Sequence, residues 1–195
     1  MKDSTYITKK PAFYKRKAFL STLVGLFFIS IMVFSVLEIG LSNSQEKKVK
    51  VEGLSFVQTN SGWQAYTDDE KKIVLQVNPE TLEDISSPSF SAFMPTEKVY
   101  VSVNPYDDVQ GALYDFKVNL VFSVPVVQAC TQDNALCGSY PIKTCVDATS
   151  AIGVVVFQEG NTSVITLENN CLTIQGKDLL SVTDKFILDQ YGSTG

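Results

Sequence analysis

The sequence predicts a mixed α+β or α/β domain, a mixed sheet with helices packed on it, carried behind an N-terminal transmembrane helix. Three observations lead there. Residues 18–37 read AFLSTLVGLFFISIMVFSVL, without a charge or a proline, and as a helix would rise about 30 Å, the depth of a bilayer's hydrocarbon core. Short β-branched runs then alternate with stretches of helical apolar spacing. Four cysteines fall in the second half of the chain, an even number that suits an oxidised exterior domain.

The charge distribution orients the first element. Before the apolar run stand six basic residues against Asp3; from residue 51 onward there are seven lysines against eighteen acids. Basic flanks stay in the cytoplasm, so the reading is a single-pass cell-membrane protein with a cytoplasmic N-terminus and an extracytoplasmic C-terminal domain. A cleaved signal peptide has an apolar region of about 7–15 residues; this one is longer, and Ser35-Val36-Leu37-Glu38 is a poor cleavage site. The expected segments are a basic tail at 1–17, the membrane helix at 18–37, a juxtamembrane stalk at 38–50 and a domain of 145 residues at 51–195, long enough for its own core.

Within the domain, the apolar residues around Val49–Leu54 with a bend at Gly53, and the runs at 63–66 and 72–77 about Asp68-Asp69-Glu70, predict strands and hairpins. The segments KIVLQVNP at 72–79 and KVYVSVNP at 98–105 echo each other, each a strand that ends in Asn-Pro. That dipeptide suits a helix start, so helices are expected at 80–85 and 107–116. Alternation of Val118, Leu120, Phe122 and Val124 predicts a further strand. A loop at 129–150 holds three cysteines, strands at 152–157, 163–167 and 171–174 read as a β-meander, and Asp178 caps a C-terminal helix. The order β-α-β then β-β-α is similar to a thioredoxin-like core in topology alone; no Cys-x-x-Cys is present to carry redox activity.

Composition excludes much chemistry. The chain has no histidine, which removes Ser-His-Asp and Cys-His hydrolases and histidine-ligated metal sites. Arg16 is the only arginine, so the domain has no guanidinium clamp for phosphate or carboxylate. Its acidity opposes nucleic-acid binding. Asp68, Asp69, Glu70, Asp107 and Asp108 are the densest carboxylates; such runs read as solvated turns and helix starts before they read as catalysts. No catalytic residue, cofactor site or metal site is expected. Cys130, Cys137, Cys145 and Cys171 have 6, 7 and 25 residues between them. Three disulfide pairings are open, and local stapling favours Cys130–Cys137 with Cys145–Cys171. Asn161-Thr162-Ser163 is a glycosylation sequon on an expected turn, with Asn161 the acceptor.

The run Lys15-Arg16-Lys17-Ala18-Phe19-Leu20 and the close Asn170-Cys171-Leu172-Thr173-Ile174-Gln175-Gly176 followed by a helix resemble uncharacterised archaeal single-pass surface proteins. That resemblance implies a membrane protein with a small cysteine-bearing exterior domain and carries no catalytic residue. The expected role is a structural or binding module, not an enzyme, whose partners are the membrane and other surface or membrane proteins. The alternative is a pilin-like surface-filament subunit cut before the apolar run, although the glutamate usual near the start of a mature pilin is missing around Leu20–Leu23.

Overall fold

The computed structural model describes the backbone of residues 17–41 and 47–192, with side chains over 21–35 and 47–192. The expected tail at 1–16 lies outside the described residues, as do 42–46 of the stalk. Two compact units are present, one reaching Gln45 and one starting at Glu46.

In the first unit, α1 (Lys17–Leu41) is 25 residues long. Its described large apolar side chains, from Leu23 and Leu26 through Phe27, Phe28 and Ile29 to Met32 and Phe34, are exposed. Among the described residues no helix is long and apolar enough to cross a membrane. The membrane helix expected at 18–37 is therefore unsupported by them: side chains at 18–20 and 36–37 lie outside the description, and the fifteen residues at 21–35 rise only about 22 Å.

The second unit is mixed α/β with two sheets. Strands β1 (Lys48–Val51), β2 (Leu54–Thr59), β3 (Gly62–Tyr66) and β4 (Lys72–Leu75) form an antiparallel sheet in chain order. β1 thus begins inside the stretch read as stalk. The β1–β2 turn uses Glu52 at φ 49° and Gly53 at φ 84°, the left-handed pair that matches hairpin twist. β5 (Lys98–Val103), α2 (Gln110–Asn119), β6 (Val126–Cys130), β7 (Ile152–Glu159), β8 (Val164–Glu168), β9 (Cys171–Gly176) and α3 (Leu179–Gly192) follow. The second sheet has the order β6-β5-β7-β9-β8, parallel except for β8 at its edge.

Four expectations need correction. The stretch at 80–85 is not a helix: Asn78 caps only a 3₁₀ turn at Pro79–Thr81, and the chain then runs extended toward Pro88. The strand expected over Val118–Val124 is absent because α2 continues to Asn119, and Phe122 folds back into the core; the strand is β6, a few residues later. The two Asn-Pro echoes end strands of different sheets. The β-meander is not one, since β9 inserts between β7 and β8, and the thioredoxin-like reading loses the arrangement on which it rested. Burial explains the insertion: β9 is buried or half-buried throughout, whereas β8 has a single buried residue, so β9 takes the interior and β8 the edge.

Helices α2 and α3 lie between the sheets. One side of the helical layer packs Phe116, Val182 and Phe186 on Val101, Val155, Phe157, Leu172 and Ile174 of the parallel sheet. Phe116 is the hub, 5.3 Å from Phe157 edge-on and 6.4 Å from Phe186 in a stack, with Phe90, Phe93 and Phe122 closing the cluster. Ile187 and Leu188 of α3 face the other way, onto Phe56, Trp63, Ile73 and Leu75 of the antiparallel sheet.

Helix side chains also close the outer edge of β4. Asn119 accepts from Val74 N–H at 2.8 Å and donates to Val74 C=O at 2.7 Å, as a neighbouring strand would. Asp115 and Asp184, both fully buried, accept from Gln76 N–H, and Asp184 also from Val77 N–H. Burial pushes the Asp184 carboxyl up to about 9, aided by a hydrogen bond to Asp115 and that neighbour's charge. Asp184 therefore holds its proton at neutral pH; its Oδ1 is buried and has no hydrogen-bond partner among the described residues.

Candidate functional site

The chain leaves β5 through α2 to form β6 on one side, then crosses back to form β7 on the other. That reversal makes a topological switch point. Loops at the carboxyl ends of adjoining strands diverge there and leave a crevice, the place where open α/β sheets bind ligands. In this molecule the crevice is an open cleft of about 540 Å³ on the sheet face turned away from the helices.

Each part of the cleft follows from strand alternation and loop bracing. Val156 and Gln158 of β7 and Thr173 of β9 form its floor, because in each strand alternate residues face away from the helices. One wall is the turn after β5, with Asn104 and Asp107. Asn104 donates from Nδ2 to Asp107 Oδ1 at 2.7 Å and accepts from Tyr106 N–H at 3.3 Å. A reciprocal latch ties this turn to the end of β7. Glu159 N–H donates to Asp107 Oδ2 at 3.1 Å, and Asp108 N–H donates to Glu159 Oε1 at 2.9 Å.

The opposite wall is the cysteine-bearing loop, with Thr131, Gln132, Thr144, Cys145 and Val146. All four cysteines are paired, as Cys130–Cys137 and Cys145–Cys171. The first closes the loop on itself; the second fastens its far end to β9. The loop also returns alongside β6, where Cys130 N–H donates to Pro141 C=O at 2.9 Å and Lys143 N–H to Cys130 C=O at 2.8 Å. Ser102 of β5 donates to Lys143 C=O at 2.5 Å. The Thr144 N–H and the Lys143 ammonium, 2.9 Å away, hold the Asp147 carboxyl below the usual carboxylate range. The wall is thus fixed by covalent and polar ties and by a small apolar cluster, Ala148 on Val154, Val156 and Cys171, where the other sheet face is fixed by a larger apolar core.

Asp107 and Glu159 brace the cleft and supply its negative potential; no lysine or arginine is among its lining residues. The Gln132 and Gln158 amides and the Thr131 hydroxyl make no hydrogen bond to the described residues and remain open to a ligand. Among the described residues, no group of three or more cysteine or acidic side chains is placed to hold a metal ion.

Of the carboxylates singled out in the sequence, Asp107 lines this cleft, and Asp108 meets it only through its N–H on Glu159. Asp68 and Asp69 precede Glu70 at φ 59° in the β3–β4 turn of the other sheet. Neither Asp107 nor Asp108 caps α2, which has no side-chain cap. Sequence reasoning missed Glu159, Gln158 and Gln132. Gln158 and Glu159 do extend β7 past its apolar run, and polar residues at the carboxyl end of a buried parallel strand are the signal that would have found them. Asn161, the sequon residue, is exposed in the turn after β7. Comparison with models of known families, with curated proteins and with solved structures finds no match to this chain.

Proposed function

We propose that this chain is a membrane-tethered extracytoplasmic binding module without catalysis of its own, which α1 anchors and whose ligand occupies the switch-point cleft. The observation that carries the reading is the cleft itself, a ligand-sized crevice whose Gln132, Gln158 and Thr131 side chains have no partner among the described residues and whose wall is fastened by disulfides. Disulfides persist in oxidising exterior compartments. The exposed apolar surface of α1 suits lipid, and the basic residues before it favour an inside tail.

The placement is tested on cells that carry the full chain with a C-terminal epitope. Alkaline carbonate should leave the protein in the membrane fraction, and protease added to intact cells should remove the epitope. Release by carbonate, or a protected epitope, would contradict the tethered exterior reading. Sequencing the mature N-terminus separates it from the pilin-like alternative: an intact tail agrees with an anchor, and a start near Ala18 or Phe19 with a processed pilin.

A further inference from the structure

We infer that the switch-point cleft binds a neutral saccharide. The inference rests on the cleft being the binding site proposed above and adds the ligand class. The open groups at the cleft are of two kinds. Gln132, Gln158 and Thr131 each offer both a donor and an acceptor, while Glu159 offers acceptor oxygens alone. A ligand that satisfies this set must present many groups that donate and accept at once, as the hydroxyls of a sugar do.

Three other classes fit less well. Anionic ligands meet two carboxylates and no cation in the lining, on a domain with eighteen acids and seven lysines, so their approach is repelled. An extended peptide recognised through its backbone needs an open strand edge, but β5 lies between β6 and β7, and β7 between β5 and β9. A flat apolar ligand would leave the floor and wall amides without partners. The surroundings suit a sugar ring, which has apolar C–H faces as well as hydroxyl edges. Val146, 91% exposed on the cysteine-loop wall, and Val156 in the floor give aliphatic surface beside the polar groups. A cleft of about 540 Å³ has room for a short oligosaccharide.

The test is amide NMR of the full 21.5 kDa chain in lipid nanodiscs. It is titrated in turn with cellobiose, maltose, mannobiose and N,N′-diacetylchitobiose, and separately with spermidine and with calcium chloride. At least one saccharide should shift the amides of Thr131, Gln158 and Glu159 with a dissociation constant of about 1 mM or tighter. Gln158→Ala and Thr131→Val should each weaken that binding about tenfold, and raised salt should leave it unchanged. If spermidine or calcium shifts these amides and no saccharide does, the saccharide class is overturned while the cleft remains the binding site. If no probe shifts them, the inference and the binding reading beneath it both fall.

Discussion

On one face of the parallel sheet, Val101, Val155, Phe157, Leu172 and Ile174 meet the phenylalanine cluster of the helical layer, and every one is buried. On the other face, Thr173 and Gln158 lie under a loop that two disulfides and a few hydrogen bonds hold in place. The same strands supply both faces, residue by residue. The first face carries the large apolar core; the second has a smaller buried cluster of Val154, Val156 and Cys171 and leaves Gln158 exposed beyond it. The difference teaches where the domain's stability resides and where its binding chemistry can reside.

Four perturbations break or sharpen that contrast. Phe116→Ala, at the centre of the aromatic cluster, should cost about 3–5 kcal/mol in denaturant unfolding. On the cleft face the covalent ties matter most. Cys145→Ser opens the longer loop, with a separation of 26 against 7 for Cys130–Cys137. It should cost about 3–4 kcal/mol where Cys130→Ser costs about 2, and thermal unfolding of the two variants gives the comparison.

The third perturbation is pH, and it reports on the far side of the helical layer. Asp184 has a folded value of about 9 against an ordinary 3.8, so between those limits the native state holds a proton that the unfolded chain has released. Stability from this group is complete below the unfolded value and is lost as pH rises through the folded one, with a slope of up to about 1.4 kcal/mol per pH unit. Unfolding followed between pH 6 and pH 8 should show wild-type stability falling, and Asp184→Asn should flatten the fall. A wild-type stability that rises over this range would contradict a proton retained on Asp184. The smallest expected effect is that of Gln158→Ala, within about 0.5 kcal/mol of wild type because the side chain is exposed and unpaired.

The contrast also marks what could be read from the sequence. Local elements were legible: the Gly53 hairpin, the Asp68-Asp69-Glu70 turn, β5, β7 and the Asp178 cap on α3, where Ser181 N–H donates to Asp178 Oδ1 at 3.2 Å. Each rests on neighbours in the chain. The cysteine pairing was favoured by spacing for the same reason. What failed depended on partners far away. Val118–Phe122 alternates like a strand, but Asn119 is held in the helix by the edge of β4, 45 residues earlier, and Phe122 by the aromatic cluster. The insertion of β9 follows from burial on both faces, which a single strand does not reveal. The cleft was half legible. Asp107 stood out as a carboxylate, but Glu159, its partner across the latch, lies 52 residues away, and only the strand order brings them together.

Phe157 and Gln158 are neighbours in β7 that face opposite ways, the first fully buried among the helices and the second exposed in the cleft. Paired measurement of unfolding free energy and of saccharide-induced amide shifts in Phe157→Ala and Gln158→Ala tests the division of the sheet directly. The account predicts that Phe157→Ala loses about 3–5 kcal/mol, while Gln158→Ala keeps its stability and binds the saccharide about tenfold more weakly. A Gln158→Ala variant that unfolds as readily as Phe157→Ala, or that binds like wild type, would contradict it.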